Sequence, residues 1–115
     1  MTDIEQVRQF LNAFKTKARI FGIVYRDDRH ENEYALAELE ISHLDRDKII
    51  LGLKAEDFSE TIKDTLNKGT DLWVFGKVYK KREIYIKITL GRQSNSPVCI
   101  SFHPAKTRIK YQFKK

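Results

Sequence analysis

The stretch "EIYIKITL", residues 83–90, decides the fold. Ile84, Ile86, Ile88 and Leu90 alternate with Tyr85, Lys87 and Thr89. Successive side chains of a strand point to opposite sides, so one side is wholly aliphatic and the other carries a phenol, an ammonium and a hydroxyl. A strand of this kind belongs in an antiparallel sheet with one covered and one open face. The neighbouring segments agree. "LWVFGKVY" (72–79) precedes it across the basic connection "KKR", and "VCISFH" (98–103) follows "GRQSNSP", a run of turn formers. A three-stranded meander is expected. "TRIKYQF" (107–113) adds a further strand, because Ile109, Tyr111 and Phe113 alternate with Arg108, Lys110 and Gln112.

Upstream the period changes. Ile4, Val7, Phe10, Leu11, Phe14 and Ala18 recur at spacings of three and four, with Asp3 and Glu5 near the start and Lys15, Lys17 and Arg19 near the end, which suits a helix and its dipole. "ARIFGIVYRDD" is rich in β-branched and aromatic residues and predicts a strand over 19–26. Residues 31–53 predict two shorter helices that break near Ile41 and Ser42. The second is opened by Ser42 and Asp45 at capping-box spacing and ended by Gly52 in the left-handed position. Residues 54–71 read as a connection with a short helical turn and a glycine turn at its end. Helices first and sheet afterwards give an α+β domain, with the N-terminal helices packed on one face of a C-terminal antiparallel sheet.

A chain of 115 residues is one domain's length, and 41% hydrophobic with 33% charged residues is the composition of a folded protein. The single cysteine, Cys99, excludes an internal disulfide and reads as a small packing residue of a strand. The N-terminus lacks the basic-then-apolar pattern of a signal peptide and no stretch approaches a membrane span, so a cytoplasmic location without a membrane partner is expected. Charge is divided unevenly. Residues 1–71 carry 11 Lys or Arg against 15 Asp or Glu, whereas residues 72–115 carry 11 against 1. Clustered cations bind phosphate-rich polymers and release their counterions, so nucleic acid is the first partner class implied. An acidic protein or a membrane surface comes behind it.

Parity sharpens this expectation. With Ile84, Ile86 and Ile88 toward the helices, Val74, Gly76 and Val78 are expected beside them, together with Val98, Ile100 and Phe102. The open face would then present Trp73, Phe75, Lys77 and Tyr79, then Tyr85, Lys87 and Thr89, then Cys99, Ser101 and His103, with Arg108 and Lys110 if the last strand joins. Rings interleaved with cations suit single-stranded RNA, whose bases stack on aromatic faces while Lys and Arg hold the phosphates. The alternative is a merely wet face, with Trp73 and Phe75 covered by a helix or by the chain terminus.

"IILGLKAEDF", a Trp-bearing strand, "IYIKIT" and "VCISFH" together resemble the motility quorum-sensing regulator (MqsR) toxins over residues 49–103. The resemblance implies a RelE-like fold and a metal-independent mRNA interferase, linked to the ribosome and neutralised by a cognate antitoxin. It further implies cleavage in which the RNA's own 2′-hydroxyl attacks the adjacent phosphate. The family's tyrosine is matched by Tyr85. His103 stands where the family has a lysine, and an imidazole exchanges protons readily at neutral pH. Glu60 replaces another lysine and Val74 a glutamine; Glu60 can act as a base, whereas Val74 can bind nothing polar. Tyr85, His103 and Glu60 are therefore the catalytic candidates.

Lys77, Lys87, Arg92 and Arg108 are the candidate phosphate contacts and Trp73 a stacking ring. His30 and His43 fit no metal spacing with each other or with Cys99, so no cofactor is implied. "RDDRHENE" (26–33) reads as a solvated loop and helix start, in which Asp27 and Asp28 could orient a base. Three functions follow as expectations: a toxin-like endoribonuclease, a nonenzymatic RNA-binding module, or an interaction protein whose basic sheet meets an acidic antitoxin.

Overall fold

The computed structural model of the chain describes residues 2–63, 71–92 and 94–114. Helix α1 (Ile4–Phe21) opens on a capping box, in which the Gln6 amide donates to the Asp3 carboxylate and the Asp3 amide to the Gln6 side chain, both at 2.8 Å. Its expected stripe of Val7, Phe10, Leu11, Phe14 and Ala18 is buried. The helix runs through Arg19, Ile20 and Phe21, where a strand was expected, and stops at Gly22, whose φ of 77° suits glycine. Only Val24–Tyr25 remain extended, as β1. Here the continuing helical hydrogen bonds overrode the β preference of Ile20 and Phe21.

After a 3-10 turn at His30–Asn32 come α2 (Ala35–Leu39) and α3 (His43–Leu51). The break at Ile41–Ser42 and the Ser42–Asp45 capping box are as expected. Gly52 is not left-handed, with φ at −91°; the left-handed residue is Glu40 at the end of α2, with φ at 58°. A 3-10 turn at Ala55–Asp57 leads into a strand that the sequence reading missed, β2 (Phe58–Ile62). The glycine turn expected after it lies outside the described residues. Strands β3 (Leu72–Tyr79), β4 (Arg82–Thr89) and β5 (Val98–Pro104) complete the sheet.

Strand order is β1-β5-β4-β3-β2, antiparallel throughout except that β1 runs parallel to β5, so the sheet is mixed. This is an α+β fold with helices at the N-terminus and sheet at the C-terminus. Ile84, Ile86 and Ile88 meet Phe10, Phe14 and Leu53 in one core, and all three isoleucines are fully buried. The radius of gyration is 13.3 Å. No helix among the described residues is long and apolar enough to cross a membrane.

The turn between β3 and β4 has two residues, Lys80 and Lys81, both with positive φ (51° and 68°), the mirror-image geometry that suits the twist of a hairpin. Tyr79 therefore pairs with Arg82, Lys77 with Ile84, Phe75 with Ile86 and Trp73 with Ile88. This reverses the expected parity of β3. Trp73 and Phe75 belong to the helix face, where Phe10 stacks on Trp73 at 4.3 Å between centroids. A bulge in β5 also moves Cys99 opposite Ile88, into the core, where burial pushes its thiol up to about 12.

Residues 105–114 form neither helix nor strand. The segment expected as a last strand crosses the open face instead, with Ile109 buried. It lies on Gly76, the one place on β3 where the absence of a Cβ admits it: a Cβ there would come within 2.7 Å of the Ile109 Cδ1 and still closer to the Tyr111 hydroxyl. The Tyr111 hydroxyl donates to Glu83 at 2.7 Å, and Gln112 bonds the β2 edge through Phe58 and Ser59. Phe113 then stacks on Phe58. Gly76→Val should displace this segment, lowering stability by about 1–3 kcal/mol and freeing the backbone for faster tryptic cleavage after the exposed Lys106 and Arg108. Unchanged digestion of the variant would disprove the packing role.

Candidate functional site

The open face carries two cross-strand rows. In the first, Glu60 on β2 pairs with Val74 on β3, Val74 with Lys87 on β4, and Lys87 with Ser101 on β5. In the second, Gly76 pairs with Tyr85, and Tyr85 with His103. Strands lie about 4.8 Å apart, so Lys87 and Glu60, separated by the buried Val74, have backbones about 10 Å apart. The Tyr85 and His103 rings lie nearly parallel, 16° between planes and 5.3 Å between centroids. These rows floor a groove of about 420 Å³.

Two irregular segments wall it. One is the loop of residues 26–32, pinned to β5 by the buried Asn32. The Asn32 side-chain amide donates to the carbonyls of Arg26 at 2.8 Å and Ile100 at 2.9 Å, and its oxygen accepts from the Phe102 amide at 3.1 Å. Asn32 thus substitutes for a missing strand partner at the β5 bulge, and it sets Arg29 and Glu31 on the groove rim. The C-terminal segment is the other wall and contributes Lys106, Arg108, Ile109 and Lys110. Five cations therefore surround the groove (Arg29, Lys87, Lys106, Arg108 and Lys110) against the carboxylates of Glu31 and Glu60. One of these is engaged, since Lys106 lies 4.0 Å from Glu31.

The electrostatics follow from this crowding. Tyr85 has its phenol raised above the ordinary range, first by burial and then by Glu60, with Arg29 opposing. It stays protonated at neutral pH, so the phenol has an O–H to donate and is no base. Glu31 is held below the usual carboxylate range by its backbone hydrogen bond and then by Lys106, Arg29 and His103. The Nδ1 of His103 lies 2.9 Å from the Pro104 carbonyl. A carbonyl only accepts, so Nδ1 carries a proton and Nε2 is the nitrogen left to exchange one.

Of the expected site residues, Tyr85, His103, Glu60, Lys87 and Arg108 line this one groove. Arg108 reaches it from the crossing segment rather than from a strand. Three do not belong. Trp73 is on the helix face against Phe10. Lys77 shares that face and lies 3.5 Å from the buried Asp57, which also binds Lys114 at 3.8 Å. Arg92 lines a separate depression with Phe21, Val24 and Val98, and its carbonyl accepts from Lys17. Nor do Asp27 and Asp28 orient a base: Asp27 pairs with Arg46, which lies over the Tyr25 ring, and Asp28 pairs with Arg26. Arg29, Glu31 and Lys106 were missed as site residues, and Lys110 was expected on the open face only as part of a last strand. Their available signal was the basic run after His103 and the charged "RDDRHENE", neither of which reveals where an irregular segment folds back.

No family model, curated protein or solved structure matches this chain. The resemblance to the MqsR toxins therefore rests on the quoted residues alone.

Proposed function

We propose that the groove binds single-stranded RNA and cleaves it as a toxin-like endoribonuclease, by attack of the substrate's 2′-hydroxyl on the neighbouring phosphate. The observation that carries this reading is convergence. Glu60, Tyr85 and His103, which the resemblance singles out, share one groove with Lys87 and Arg108 and with three further cations. The chemistry needs a base for the hydroxyl, an acid for the leaving oxygen, and positive charge around the transition-state phosphate. His103 supplies the acid through Nε2. The Tyr85 phenol donates to a phosphate oxygen, and Arg29, Arg108 and Lys110 neutralise charge, the arginines through paired N–H groups. Glu60 is the expected proton acceptor, and Lys87 adds positive charge on the floor. None of these steps calls on a metal ion.

The same reading makes mRNA the substrate and the cytoplasm the compartment, with an acidic antitoxin as the neutralising partner of the basic face. A 5′-labelled single-stranded RNA incubated with the protein and a chelator should yield fragments ending in 2′,3′-cyclic phosphate, abolished in His103→Ala and weakened in Tyr85→Phe. Expression should arrest growth, and co-expression of the adjacent reading frame should relieve the arrest. Salt-sensitive binding without any cleavage at micromolar protein would replace the nuclease by a nonenzymatic RNA-binding module.

A further inference from the structure

Lys87 stands out among the groove's cations. It is half-buried on the floor, yet its ammonium makes no hydrogen bond and no ion pair among the described residues; its one close partner is the Tyr85 ring, 5.9 Å from Nζ to centroid. A lysine withdrawn from water is ordinarily compensated by a carboxylate. Here the two available carboxylates stand off. Glu60 lies beyond Val74 on the exposed side of the sheet, and Glu31 is engaged with Lys106. Arg108 and Lys110, cations of the rim, are by contrast exposed to solvent.

Resting on the ribonuclease reading, the geometry points to Lys87 as the base that takes the 2′-hydroxyl proton, in place of the expected Glu60. Uncharged Nζ accepts that proton as O2′ forms its bond to phosphorus. The P–O5′ bond breaks, and O5′ takes a proton from His103 Nε2. A 2′,3′-cyclic phosphate and a free 5′-hydroxyl leave, with Lys87 charged and His103 neutral; exchange with water restores both. The charged and titratable groups that line the groove with Lys87 are Arg29 and Glu31 from the loop, Glu60 from β2, Tyr85 from its own strand, His103 from β5, and Lys106, Arg108 and Lys110 from the C-terminal segment. Burial first, and Arg29 next, hold the ammonium below its ordinary range, while Glu31 and Glu60 act in the opposite direction. The uncharged form is thereby made more accessible than in a lysine exposed to water.

Lys87→Arg separates charge from proton transfer. The variant should bind a noncleavable RNA, carrying 2′-O-methyl groups, within threefold of wild type, while cleavage falls at least about a hundredfold. The remaining rate should lose the rise with pH that wild type shows as the ammonium deprotonates. As a second variant, Lys87→Ala should regain cleavage on addition of methylamine, and more with more basic amines. Cleavage by Lys87→Arg within threefold of wild type, an affinity loss as large as its rate loss, or failure of every amine to rescue Lys87→Ala would each overturn the role of Lys87 and leave the nuclease reading in place. A wild-type protein that binds RNA without cutting it would remove both.

Discussion

Trp73→Ala is expected to lower the free energy of unfolding by about 3 kcal/mol, the low end for deleting a large aromatic from a core, since Trp73 keeps partial contact with solvent. RNA affinity of the folded variant should not change. The ring packs against Phe10 at 4.3 Å and against Phe58 at 5.7 Å, on the helix side of the sheet. Urea titration followed by tyrosine fluorescence or circular dichroism measures the first quantity, and fluorescence anisotropy with labelled RNA the second. Loss of RNA affinity with stability within 0.5 kcal/mol of wild type would return Trp73 to the open face and contradict the β3 register.

The combined substitution Arg29→Ala, Arg108→Ala and Lys110→Ala is expected to weaken RNA binding about a hundredfold at 0.1 M salt. Each phosphate neutralised on a single strand contributes about 0.7 to the slope of log affinity against log salt. Removing three contacts should flatten that slope by about 2 and, at 0.1 M, remove about two decades. Stability should hardly move, because Arg108 and Lys110 are exposed and exposed charges contribute little, while the buried Nε of the half-buried Arg29 has, among the described residues, no hydrogen-bond partner to lose. The contrasting pair Lys77→Ala and Arg92→Ala should leave both slope and affinity near wild type, since neither side chain lines the groove. A salt slope unchanged in the triple variant, or an equal loss in the contrasting pair, would place the polyanion elsewhere.

The two sets of substitutions divide the molecule along the line where sequence reading held and failed. Strand β4 was legible because its two faces differ sharply in chemistry. In β3 both alternations are largely apolar, Leu72, Val74 and Val78 on one side and Trp73, Phe75 and Tyr79 on the other. Only the length of the hairpin turn discriminates between them. A three-residue connection "KKR" places Val74 beside Ile88, whereas the observed two-residue turn at Lys80–Lys81 places Trp73 there. One residue in the turn thus reverses every side chain of the strand. Cys99 moved for a related reason, since the bulge in β5 is held by Asn32, nearly seventy residues away in sequence.

From the order of residues alone came the amphipathic N-terminal helix, the α3 capping box, the α+β division, and the shared face of Tyr85, Lys87, Ser101 and His103, because each follows from a period or a cap set within a few neighbouring residues. Tertiary structure alone decided the face of Trp73 and Lys77, the parallel β1, and the path of residues 105–114 over Gly76. Those depend on which distant backbone groups find hydrogen-bond partners and where a missing side chain leaves room. The groove itself is of this second kind: its floor was written in alternation, but its cationic walls exist because two irregular segments fold back over the sheet.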